Sequence, residues 1–207
     1  MTLPPIEDEV ARYYTDKVRT HGAAPRGVDW NSAESQQLRF RKLLQVVAGD
    51  GPFTLTDYGC GYGALLDTLA GDRRLLDYQG FDISTAMVDA ARQRHAARAN
   101  CRFTTDAAEL SATDHVVASG IFNVRLGIEA QRWRQYAVST LQRLADLARV
   151  GFAFNMLTSY SDAERQRPDL YYADPMQWFD HCKRHLAPRV SLLHDYALWE
   201  FTILVWK

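Results

Sequence analysis

The run Asp57-Tyr58-Gly59-Cys60-Gly61-Tyr62-Gly63 concentrates the chemistry of this sequence. Alternate glycines let a chain turn sharply and let a ligand approach the backbone closely. Where a strand leads in and a helix leads out, the helix N-terminus also favours a negative group. Asp82 stands 19 residues beyond Gly63. At the end of the next strand, such a carboxylate can accept both hydroxyls of a ribose. A glycine-rich turn alone is weak, but strand, turn, helix and distant acid together are not.

The elements that must position these residues are legible around them. Residues 54–58 read as a strand into the glycine cluster, and a helical stretch follows to about Ala70. Tyr78 to Ile83 is the next strand. Ser84 can cap a helix to about Arg98 with Met87, Val88 and Ala91 inward. Further strands are expected over 101–105, 115–122 and 150–157, with a long amphipathic helix over 130–149. This alternation implies a mostly parallel sheet covered on both faces. Near the end, 189–194 and 200–206 are strands too close for a helical crossover, so they must pair as an antiparallel hairpin. The first 50 residues read as helical, broken over 21–29, with Asn31 and Glu34 as a capping box and Leu38, Leu43, Leu44 and Val47 inward.

Composition limits the partners. The 207 residues carry 24 basic and 25 acidic side chains. A protein held to nucleic acid through phosphates needs a basic excess, so no nucleic-acid partner is expected. No apolar run approaches a membrane span, and no leader with an apolar core begins the chain. Cys60, Cys101 and Cys182 are too widely spaced for a zinc motif or a disulfide framework, so a cytoplasmic protein without a metal is expected.

Taken together, these residues resemble the class I S-adenosylmethionine (SAM)-dependent methyltransferases, of the small-molecule type. Asp57 to Gly63 is similar to that family's first motif, and Asp82 to Arg92 resembles its second motif and following helix. Arg102 to Ala107 and His115 to Asn123 resemble its third- and fourth-strand motifs, and the terminal hairpin resembles its reversed last strand. The resemblance implies a Rossmann-like, doubly wound α/β sheet, mostly parallel with a reversed C-terminal strand. It divides the chain into an N-terminal helical lid, 1–50, and a SAM-binding domain, 51–207. The implied cofactor residues are Asp57 for the ammonium, Gly59, Gly61 and Gly63 along the methionine and ribose, and Asp82 for the ribose diol. Ile83 and Met87 would pack on the adenine, Asp106 and Ala107 would bond its edge, and Ser119 would face the ligand. Trp30 and Arg39 could close over SAM, with Arg39 clamping its carboxylate; the other reading is a packing Trp and a surface Arg. Cys60 reads as packing.

The acceptor side is less defined. Tyr13 and Tyr14 could line its mouth, Phe122 and Asn123 end the fourth strand, and Tyr171 and Tyr172 sit on a loop expected to cover the pocket. His21, His194 and Asn123 are the candidate catalytic groups for a hydroxyl acceptor, whose proton a base would take. The expected activity is methyl transfer from SAM to a small molecule, by a monomer or homodimer. Two other readings stay open. Gly59-x-Gly61-x-x-Ala64 also satisfies the pattern of nicotinamide-dependent oxidoreductases. A non-catalytic SAM-binding protein would keep the same fold without turnover.

Overall fold

The structure, a computed structural model, describes residues 5–207. Helices α1 (Ile6–His21) and α2 (Ala33–Leu43) precede β1 (Phe53–Tyr58), α3 (Ala64–Thr68), β2 (Leu75–Phe81), α4 (Thr85–Arg94), β3 (Cys101–Thr104) and β4 (Thr113–Ala118). Then come α5 (Ala130–Leu147), β5 (Ala148–Thr158), the short β6 (Tyr172–Ala173), α6 (Pro175–His185), β7 (Arg189–Leu193) and β8 (Glu200–Trp206). The sheet order is β3-β2-β1-β4-β5-β8-β7, with β6 paired to β5. Strands β1 to β6 run parallel, and β8 is antiparallel to both β5 and β7. This is the doubly wound sheet with a reversed last strand that the spacing predicts.

Burial explains why the sheet is covered on both sides. Side chains alternate faces along a strand. Ala153 of β5 joins the core beneath α2, α3 and α4, whereas Phe152, Phe154 and Met156 join the core beneath α5 and α6. Helix α2 supplies Phe40 and Leu43 to the first of these cores, alongside Leu55, Leu65 and Tyr78. Residues 33–46 are therefore built into the body of the domain, which corrects the expectation of a lid extending to residue 50. Ahead of α2, α1 and the connection after it place Val10, Tyr14, Val28 and Trp30 beside the clefts described below.

Local chemistry sets the helix starts. Ser84 Oγ accepts from Met87 N at 3.4 Å, the expected cap. Glu129 accepts from the Gln131 and Arg132 amides at the head of α5, and Asp174 caps α6 with Pro175 at its first position. At α2 the cap is Ser32, accepting from Ser35 N at 3.1 Å, rather than Asn31. Adjacent Asn and Ser are near-equal caps, and the extended backbone falls on Ser32.

Trp133 links α1 to the body. It is fully buried, packs with Ile6, Val10 and Ile128, and donates its indole N–H to Phe122 O at 3.0 Å. Replacement by Ala removes a large buried side chain and the donor to that carbonyl. Urea denaturation of Trp133→Ala should show a loss of about 3–5 kcal/mol.

Candidate functional site

In an open doubly wound sheet, ligands bind beyond the carboxyl ends of the strands, where the strand order reverses. Here β1 lies between β2 and β4, so the reversal falls between β1 and β4. Two clefts open there. The first, of about 800 Å³, is lined by the glycine turn, Asp57, Asp82, Ile83, Met87 and Ser119, with Val10 and Tyr14 of α1 opposite. The second, of about 1160 Å³, lies between the segments following β4 and β5. Tyr14, Val28, Trp30 and Gly120 line both clefts and form their shared wall.

The first cleft is braced from behind. Gly61 has φ +52°, and its amide donates to Asp82 Oδ2 at 2.9 Å. The other oxygen of Asp82 accepts from Ser84 N at 2.9 Å. Each oxygen keeps a second lone pair for a ligand hydroxyl. Tyr78 donates to Asp57 at 2.7 Å, and His95 bonds Gly63 O at 2.9 Å. Thr15 and Ser84 hydroxyls meet at 2.8 Å, tying α1 to the head of α4. Cys60 is buried in the core, and burial pushes its thiol up, as a packing role requires.

Gly120 does for the second cleft what the glycine turn does for the first. It has φ +73°, and the Trp30 ring fills the space a Cβ would need. Its amide donates to Asn155 Oδ1 at 2.7 Å, and Asn155 Nδ2 donates to Glu200 at 2.6 Å. Arg39 Nε and Nη2 also donate to Glu200, at 2.7–2.9 Å, while the Arg39 guanidinium lies 3.9 Å from the Trp30 ring. The loop after β5 is stitched to the strand-end segment: Tyr171 N donates to Asn123 O at 2.8 Å, and the Arg125 and Leu126 amides donate to Asp169 O.

Several expected site residues lie elsewhere. Arg39 faces the second cleft, and the two nitrogens that would clamp a carboxylate are taken by Glu200. Asp106 is exposed and caps a short 3₁₀ turn, accepting from Ala108 N at 2.8 Å, while Ala107 packs on the core; neither lines a cleft. Phe122 is fully buried edge-on to Phe154. Tyr171 packs against the core, whereas Tyr172 reaches the second cleft and accepts a bond from Arg167 N at 3.1 Å. Tyr13 bonds Asp29 behind the wall that Tyr14 forms. His21 and His194 are exposed and line neither cleft, so the expected histidine bases are withdrawn. Asn123 does line the second cleft. Sequence reasoning missed Glu200, Asn155, Tyr136 and Val10. Only Val10 carried a signal, its helical spacing from Ile6 and Tyr14.

The family profile described as "Methyltransferase domain" matches residues 56–151. Rv1506c of Mycobacterium tuberculosis, provisionally called a methyltransferase, is 51% identical over 164 residues, which span 79% of this chain and 99% of that protein. The chain belongs to the class I SAM-dependent methyltransferases. Its fold matches magnesium protoporphyrin IX methyltransferase from Synechocystis PCC 6803, solved with SAM, at a TM-score of 0.68 and 18% identity over 100% of this chain and 99% of that one. The N-methyltransferase NodS from Bradyrhizobium japonicum, solved with S-adenosyl-L-homocysteine (SAH), matches at a TM-score of 0.65 and 14% identity over 95% and 96% of the two chains.

In this methyltransferase the first cleft holds two buried carboxylates with shifted acidity. Burial pushes Asp57 up to about 7 against the bond from Tyr78, with Asp82 adding to the rise. Burial likewise pushes Asp82 up to about 6, against the bonds from Ser84 and Gly61. In the unfolded chain both titrate near 4, about the ordinary value. The folded protein therefore binds more protons between pH 4 and 7, and stability contributed by these groups is full below pH 4 and lost as pH rises through 7. Thermal denaturation of the ligand-free protein should show a fall in this contribution between about pH 4 and 7. Asp57→Asn should flatten that slope.

Proposed function

We propose that the first cleft holds SAM and the second receives a small-molecule methyl acceptor. The observation that carries this reading is the shared wall of Trp30 and Gly120, where the two clefts meet beyond β1 and β4. Asp82 would hold the ribose hydroxyls, and Asp57 the ammonium. Gly59, Gly61 and Gly63 would follow the methionine and ribose, with Ile83 and Met87 against the adenine and Ser119 at the methyl end. Bound SAM supplies a methyl group already activated by a positive sulfur. The chain then has to align an acceptor atom in line with it, a contribution worth up to about 7–11 kcal/mol.

The walls do the aligning. Tyr172, Trp199 and Trp30 border the second cleft, giving flat apolar surfaces for a compact ligand. Among the described residues no histidine lines either cleft. This suits an acceptor that reaches the site already deprotonated, or one that passes its proton to water. The balanced charge favours a small acceptor over a nucleic-acid strand. No described helix is long and apolar enough to cross a membrane. The three cysteines are free.

Calorimetry tests the cofactor half. SAM and SAH should bind and NADH should give no heat, which separates this reading from the oxidoreductase one. Asp82→Asn should weaken SAM at least tenfold, since each charge-assisted bond contributes roughly 1.5–3 kcal/mol. Normal SAM affinity in the folded variant would remove Asp82 from the site.

Labelled-methyl transfer tests the acceptor half. Tyr172→Ala should lower turnover far more than SAM affinity. Tyr171→Ala should lower the melting temperature instead, because that ring packs on the core. Equal losses of turnover in the two variants would refute the assignment of Tyr172 to the acceptor cleft.

A further inference from the structure

Two buried hydrogen-bond donors in the second cleft have no partner. Arg39 Nη1 and Asn123 Nδ2 are both enclosed and unbonded, in side chains only 7% and 4% exposed. Both residues line this cleft. A buried donor without an acceptor costs about 1–3 kcal/mol, more when charged, so such a pair marks a place where something else is meant to bond.

Neither donor can turn away. Asn123 Oδ1 accepts from Leu157 N at 3.1 Å. Flipping the amide would set its NH2 against that backbone N–H, donor to donor, so the network fixes Nδ2 as the unpartnered atom, 3.6 Å from where a Gly120 Cβ would stand. Arg39 is held by Glu200 through Nε and Nη2 and by Trp30 against its face, which leaves Nη1 as its one free nitrogen.

The other charges of the cleft are already matched. Asp29 pairs with Lys17 at 2.6 Å and accepts from Tyr13. Glu200 is filled by Arg39 and Asn155. Arg167 pairs with Asp169, and the exposed Arg165 lies 3.7 Å from Asp162. What the cleft still lacks is an acceptor of hydrogen bonds for a cationic donor and an amide donor, in a lining that includes Trp30, Tyr172 and Trp199.

Resting on the two-cleft reading above, we infer that the methyl acceptor is an aromatic or similarly flat acid, whose anionic oxygen group docks on Arg39 Nη1 and Asn123 Nδ2. Bonds from a guanidinium to a carboxylate are about twice as strong as neutral ones. The acid should therefore be preferred over its own amide. A cationic ligand would offer neither donor an acceptor and be rejected.

The test is calorimetric titration of benzoate, 3-phenylpropionate and indole-3-acetate, each against its primary amide, with and without saturating SAH. At least one acid should bind tenfold more tightly than its amide. Asn123→Asp keeps the acceptor for Leu157 N but replaces the donor with a repelling oxygen, and should abolish that preference. SAH affinity should stay within about twofold, well under the 1.4 kcal/mol that a tenfold change represents. Arg39→Lys keeps a charge for Glu200 but offers no second nitrogen, and should weaken the acid tenfold. The inference is overturned if no acid exceeds its amide in the wild-type protein, a comparison that needs no variant to fold. It is equally overturned if both variants lose SAH affinity and keep the acid preference, since the donors would then serve the cofactor. Failure of SAH to bind the wild-type protein would instead sink the cofactor reading, and the arm without SAH would still decide this one.

Discussion

Much of the site depends on one buried carboxylate. Glu200 opens the reversed strand β8 and is fully shielded from water. An isolated charge there would be prohibitive, and an ion pair recovers the loss only with several well-formed bonds. Glu200 has them, from Arg39 of α2 and from Asn155 in the middle of β5. Asn155 in turn takes the amide of Gly120, just beyond β4. One charge thus fixes α2, β5, β8 and the segment just beyond β4 relative to one another. A hydrophobic replacement of similar volume could match it for stability, but would not aim a guanidinium.

That network also explains the wall between the clefts. Arg39 lies flat on Trp30, and Trp30 lies on Gly120, which has no side chain to push it away. The ring is held by a cation and by a bare backbone. Val28, on the same connection, approaches Gly61, where an added Cβ would stand 3.1 Å from it. The connection after α1 thus rests on one glycine of each cleft. A side chain at Gly120 would displace Trp30, and one at Gly61 would press on Val28, so the glycines seat this connection as well as make the turns.

What could be read beforehand follows how far each interaction reaches along the chain. The glycine turn, Asp82, the Ser84 cap and the inward face of Met87, Val88 and Ala91 are local patterns, and the alternation of strands and helices made the mostly parallel sheet legible. The antiparallel β7–β8 pair followed from the short connection alone. The pairing of Arg39 with Glu200 spans 161 residues, and no periodicity announces it. Residue type misled at Asp106, because an aspartate that caps a turn and one that binds a ligand look alike in sequence. Phe122 and Tyr171 were misread for a related reason. Each neighbours a residue that does line the second cleft, Asn123 and Tyr172, but Phe122 sits in the turn after β4 and Tyr171 just before β6, and both turn to the core instead.

The two clefts differ in how far their polar groups are satisfied, and this bears on how the domain divides its work. In the first, Asp82 is held by two amides and Asp57 by a phenol, so the ligand meets carboxylates that are already oriented. Their cost is electrostatic: two acids share a dry space, and burial raises both. A cationic ligand relieves that strain, so binding and charge compensation are the same event. In the second cleft the imbalance has the opposite sign, with donors left over rather than acids crowded together. A cationic methyl donor and an anionic acceptor would each go to the chamber that lacks its charge.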